Sequence, residues 1–160
     1  MFHATEIGEW PHRPGFHSIA SITLARAMTA DDVPWFIGLC RRRYPPRSDK
    51  IATEHWMRTR VLINPATHLA MRTDRAACVT VLNNSIWFPS EWEAQIAIII
   101  AEDQRGAVWE TLKLLRFARD WAQRKGCIAL RGGNATEHDV GPLLRRIGAV
   151  PEPTRYQCKF

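Results

Sequence analysis

The stretch from Ala94 to Gly126, "AQIAIIIAEDQRGAVWETLKLLRFARDWAQRKG", constrains the fold more than any other. Its opening run has the β-branched density of a central strand. After Gly106 the apolar period changes: Val108, Leu112, Leu115, Ala118 and Ala122 recur at helical spacing, widened by Leu114, Phe117 and Trp121. Glu110, Lys113, Arg116, Asp120 and Arg124 fall on the opposite face, with an Asp120/Arg124 pair expected at i,i+4, and Gly126 ends the helix. A strand that turns directly into a helix N-terminus brings backbone N–H groups and the helix dipole to one point, which suits an anion. Such turns are normally glycine-rich, and this one has only Gly106.

The flanking sequence supplies the rest of a single sheet. "SITLARA" alternates like a strand, and "TADDVPWFIGLCRRR" turns helical, with Asp31 as the expected cap and Pro34 in the first turn. Tyr44, Pro45 and Pro46 stop that helix, and "IATEHWMRTRVLI" forms a second before Asn64 and Pro65. Two apolar runs around Thr73, Asp74 and Arg75 read as a hairpin. Beyond Gly126, "CIALRGG" is a strand, "TEHDVGPLLRRIG" a short helix and "RYQCKF" a last strand. The order βααβββαβαβ predicts an α/β (α+β) domain with a central mixed sheet flanked by helices, over residues 20–160, preceded by an irregular arm over 1–19. Two strands joined through the long helix are expected to be parallel neighbours.

Composition excludes several functions. At 160 residues the chain suits one domain. Its longest apolar run is far short of the roughly 20 residues a membrane helix needs, and the first residues lack the apolar core of a secretory signal. These features point to a cytoplasmic chain. Cys40, Cys78, Cys127 and Cys158 are widely spaced and the histidines scattered, so no metal site is expected and the thiols read as reduced core residues. A net charge of +6 suits an anionic partner without choosing one. The basic run "RRRYPPRSDK" at Arg41 to Lys50 could be a nucleic-acid patch, but a solvated helix end whose cations face the dipole is the simpler reading.

The order of elements and three local matches resemble the GNAT superfamily of N-acetyltransferases, over roughly Ser21 to Phe160. "ITLARAMTADDV" is similar to the family's opening strand with its Arg-x-h-x-x-x-Asp pattern. "RG" at Arg105 and Gly106, followed by the long helix, resembles the acyl-CoA pyrophosphate motif, Q/R-x-x-G-x-G/A. "NATEHDVGPLLRRIGAV" resembles the later segment with an asparagine and a Leu-Tyr pair. The chain departs from the pattern where the family has further glycines: one alignment puts Val108 and Glu110 there, another Trp109 and Thr111. Those glycines allow close backbone approach to a phosphate. Leu144 stands where the family often has a tyrosine, and leucine cannot donate a proton.

The resemblance implies acetyl-CoA as cofactor and an amine acceptor of unknown identity, bound near the Arg41 to Lys50 loop. Ile100, Ala101, Arg105, Gly106, Ala107, Val108 and Asn134 would hold the cofactor, although Asn134 equally suits a turn. Glu93, or secondarily Glu91, would accept the amine proton through water. Tyr156 is the remaining phenol placed to serve as an acid, or simply to pack. The competing expectation is a non-catalytic GNAT-fold protein for binding or assembly, of the bacteriophage accessory or virion-associated kind, using the arm with Phe2, Trp10 and Phe16 to dock a protein partner or a second copy. Nucleic-acid binding ranks behind both.

Overall fold

The computed structural model describes residues 24–43, 50–85, 90–103, 106–132 and 140–150. The arm at 1–19, Arg105, Asn134, Tyr156 and the expected last strand lie outside the described residues. A five-stranded sheet runs in the order β1 (Arg26–Ala27), β2 (His68–Arg72), β3 (Ala76–Asn84), β4 (Trp92–Ala101), β5 (Ala129–Arg131). Neighbours are antiparallel except β4 and β5, which are parallel as their helical connection requires.

Helices α1 (Val33–Arg43) and α2 (Lys50–Trp56) cover one face, and α3 (Ala107–Arg124) covers the other, with α4 (Gly141–Arg146) packed beside α3. On the α1 side, Val33, Phe36, Leu39, Met57 and Val61 pack against Ala77, Val79 and Ile100. On the α3 side, Leu112, Leu114, Leu115 and Ala118 pack against Met71, Cys78 and Ile96. Leu115 is fully buried, and truncating such a leucine to alanine costs about 2–5 kcal/mol.

Local chemistry moves two of the expected boundaries. The first helix is entered through a 3₁₀ turn, Ala30–Asp32, and its cap is Thr29 rather than Asp31. Asp32 is the reason, because its carboxylate accepts the Thr29 backbone N–H at 2.8 Å while lying between two guanidinium groups. Arg26 reaches it at 2.6 and 2.7 Å and Arg72 at 2.9 Å, tying β1, β2 and α1 together, and Trp35 stacks 3.7 Å beneath Arg72. These ion pairs hold the Asp32 carboxyl well below the usual carboxylate range. The helix after Pro46 begins as α2 and widens into a π-helical turn over Met57–Val61.

Helix α3 departs from its expected wheel at Val108 and Phe117, expected in the apolar stripe but exposed, and at two polar positions. Glu110, expected on the polar face, is buried. Asp120 pairs with Arg119 at 3.1 Å, and its expected partner Arg124 is an exposed residue.

Candidate functional site

Ala97 decides the shape of the sheet at its functional end. Val79 pairs with Ile98 and Thr80 with Ile96, leaving Ala97 as an extra residue in β4. The bulge reverses the facing of the strand. Ala94 and Ile96 point toward α3, and beyond the bulge Ile99 and Ala101 do so, while Ile98 and Ile100 turn to the α1 face. A bulged strand bends and twists away from its ladder. Described pairing with β5 covers only Glu93–Ala129, Ala94–Leu130 and Gln95–Arg131, whereas β4 continues to Ala101. The described part of the parallel ladder thus lies at the start of β4.

The far end of β4 leads into the start of α3. Gly106 caps that helix with φ +101°, a left-handed conformation that glycine adopts without strain. Its carbonyl accepts the N–H groups of Trp109 and Glu110. Those of Ala107 and Val108 have no acceptor among the described residues and lie at the positive end of the helix dipole. Val108 and Trp109 project outward, 50 and 65% exposed.

Glu110 does not crowd this end. Its carboxylate accepts the Arg75 backbone N–H at 3.1 Å and faces the Arg75 guanidinium at 3.8 Å, toward the β2–β3 turn. A carboxylate about 4 Å from a phosphate charge would oppose binding by about 4 kcal/mol at an effective dielectric near 20. Its engagement with Arg75 directs that charge elsewhere. Of the two positions where one alignment lacks the family's glycines, one side chain is exposed and the other is turned inward.

The end of β4 is pinned from both sides. The Ala101 carbonyl accepts Arg43 Nε at 2.9 Å, and the Glu102 N–H donates to the Arg75 carbonyl at 2.8 Å. Arg42 and Arg43 also face Glu102 and Asp103, each at 3.6 Å, across an open groove of about 600 Å³ that Leu39 helps to line. Arg42 and Arg43 of the basic run thus face the two acids beside the turn. Ile100 packs in the α1-side core, so its side chain is committed to the fold.

A polar cluster lies on the α1-facing side at the start of β4. Glu93 is buried and forked by Arg131, with Nε at 2.5 Å from Oε2 and Nη2 at 3.1 Å from Oε1; Ser85 donates to Oε1 at 2.8 Å. Asn83 donates to Gln95 at 3.1 Å on the same face. The ladder explains the pairing, because Ala129 stands beside Glu93 and alternation returns Arg131 to the same face. Arg131 and Ser85 were not recognised in the sequence: only the parallel register across 38 residues brings Arg131 to Glu93, and Ser85 reaches it from the end of β3, the antiparallel neighbour of β4. Glu91 lies just outside the strand and is half-buried.

Leu144 of α4 packs on the α3 face at the end of β5. A Cβ at Gly132, just past β5, would meet Ile96 Cδ1 and Leu144 Cδ2 at 3.2 Å, so leucine and glycine pack directly there. Thiol chemistry has no support at the described cysteines. Burial pushes the Cys40 thiol up to about 11 and Cys78 to about 12, and Cys127 is also raised by burial. No group of three metal-ligating side chains occurs among the described residues, and no helix among them is long and apolar enough to cross a membrane.

No family model matches the sequence, and no curated protein matches it significantly. Solved structures do match the fold. Glucosamine-6-phosphate N-acetyltransferase from Arabidopsis thaliana superposes with a TM-score of 0.71 at 11% identity, covering 88% of this chain and 99% of that one. Ribosomal-protein-alanine N-acetyltransferase from Brucella melitensis biovar Abortus gives 0.65 at 16% identity, covering 86% and 99%. A predicted acetyltransferase from Clostridium acetobutylicum with acetyl-CoA gives 0.69 at 11%, covering 86% and 96%. The chain has the GNAT acetyltransferase fold.

Proposed function

We propose that this protein is an acyl-CoA-dependent N-acetyltransferase that moves an acetyl group to an amine. The observation that carries the reading is the open helix terminus: left-handed Gly106, the N–H groups of Ala107 and Val108 without acceptors among the described residues, and Glu110 turned aside onto Arg75. A pyrophosphate fits such a terminus because charge-assisted hydrogen bonds and the dipole act together. Arg105, preceding Gly106, would add a cation. When bound, acetyl-CoA supplies an activated thioester. The chain's own part is to hold and orient it, with the β4 backbone beyond the Ala97 bulge as the segment that would run beside the cofactor.

Glu93 would take the amine proton through water. Its ion pair with Arg131 fixes the carboxylate and makes proton acceptance dependent on how firmly that pair holds. Leu144 removes one source of a proton for the departing thiolate, leaving solvent or Tyr156 to provide it.

Two of these features, the forked Glu93 and the apolar Leu144, also favour a second reading in which the fold binds the cofactor or a partner without transfer. Thiol release from acetyl-CoA across a panel of amines separates them. Transfer that Glu93→Gln slows at unchanged cofactor affinity supports the enzyme. Tight binding without thiol release for any amine supports the second reading.

A further inference from the structure

Among the described residues, a second set of cations lies apart from the contiguous basic run. Arg42 and Arg43 are engaged by Glu102 and Asp103. Cations separated in sequence instead gather on the outer side of α3 and on α4: Lys113, Arg116 and Arg124 from the first, Arg145 and Arg146 from the second. The helices are held together there, with Arg119 donating to the Ile147 carbonyl at 3.1 Å and Arg146 lying 5.9 Å from the Trp109 ring. The one carboxylate on this side of α3 among the described residues is Asp120, already paired with Arg119.

Two large rings stand among these cations. Trp109 is 65% exposed and Phe117 44% exposed, on the same outer side as Lys113, Arg116 and Arg124. At 1.5 Å per residue, Trp109 to Arg124 spans about 22 Å. We propose that the outer face of α3 and α4 is a docking surface for single-stranded nucleic acid, whose phosphates meet the cations while exposed bases stack on Trp109 and Phe117. Charge complementarity selects a polyanion. Exposed rings interleaved with cations select bases that present a free π-face, which a duplex keeps inside its stack. The inference is independent of the acetyltransferase reading.

Fluorescence anisotropy with a labelled single-stranded oligodeoxythymidine, over a range of salt, tests it. Wild type is expected to bind with affinity that falls linearly with salt on logarithmic axes. Replacing Arg116, Arg124 and Arg145 together by alanine should make that slope shallower by about 2, at about 0.7 per lost phosphate contact. Trp109→Ala should weaken binding about fivefold to a hundredfold, and Arg42→Ala should leave it nearly unchanged. All these positions are exposed, and thermal melts confirm that each variant is folded. Absence of binding at low salt, or an unchanged slope in the triple variant, overturns the proposal. Polyglutamate competing as well as the oligonucleotide, with Trp109→Ala without effect, overturns it in favour of an acidic protein partner. Complete competition by free CoA with Arg124→Ala without effect would reduce the face to the nucleotide end of the cofactor site, and also overturns it.

Discussion

Glu110 and Arg75, 35 residues apart, meet through a backbone hydrogen bond of 3.1 Å and a guanidinium contact of 3.8 Å, fastening the first turn of α3 to the β2–β3 turn. Removing the acceptor leaves the Arg75 N–H partly buried without that partner, at a cost of about 1–3 kcal/mol. Glu110→Ala is therefore expected to lower the urea midpoint without tightening acetyl-CoA. Glu110→Gln, which can still accept the N–H, should be nearly as stable as wild type, because the charge pair with the half-exposed guanidinium adds little.

Gly106 carries the second prediction. With φ at +101° and Arg75 Nη1 only 3.2 Å from where a Cβ would stand, Gly106→Ala is expected to destabilise the fold by about 1–3 kcal/mol. The same strain displaces the N–H groups behind it, so cofactor affinity should fall more than stability alone explains. Calorimetry and denaturant melts on one sample report both.

The Asp32 cluster gives a pH dependence. Folding lowers the Asp32 pKa from its ordinary value of 3.8, so the stabilisation is complete above that value and is lost as pH falls toward the folded-state pKa. Asp32→Asn should cost about 3 kcal/mol at neutral pH, where it leaves Arg72 without its carboxylate. The gap between wild type and variant should narrow in melts below about pH 4. A gap that widens on acidification would contradict the assignment.

Arg131 and Glu93 supply the fourth. Arg131→Lys retains a cation but loses the bidentate fork. If the pair governs how readily Glu93 takes a proton, the pH–rate profile for acetyl transfer should move while the Michaelis constant for acetyl-CoA holds. A purely structural role would change stability and leave the profile in place.

What the sequence disclosed follows the range of each interaction. The Arg26 and Asp32 spacing, the hairpin at Thr73 to Arg75, the apolar stripe of α3 and the parallel partnership of β4 and β5 all rest on nearby residues or on chain connectivity, and all are found. The bulge at Ala97 was hidden because the dense apolar run "QIAIIIA" gives no alternation in which a slipped residue would show. The inward turn of Glu110 depends on Arg75, and the fork on Glu93 depends on Arg131, partners that local periodicity cannot reach. Val108 fits the apolar stripe by spacing, yet it is half exposed because it lies at the helix start. The cations on the outer side of α3, Lys113, Arg116 and Arg124, were legible from helical spacing, whereas their neighbourhood with Arg146 of α4 depends on how the two helices pack.

Val108→Pro probes whether backbone N–H groups in the first turn of α3 hold a phosphate group. Proline in a first helical turn removes one open N–H at a position where the helix tolerates it, and Val108 is half exposed. A lost hydrogen bond to a charged group corresponds to about 1.5–3 kcal/mol, or about a tenfold to hundredfold loss of affinity. Calorimetric titration of acetyl-CoA should show binding to wild type and that loss in Val108→Pro, with melting temperatures close together. Equal affinities for the two proteins, or no binding by wild type, would contradict the account.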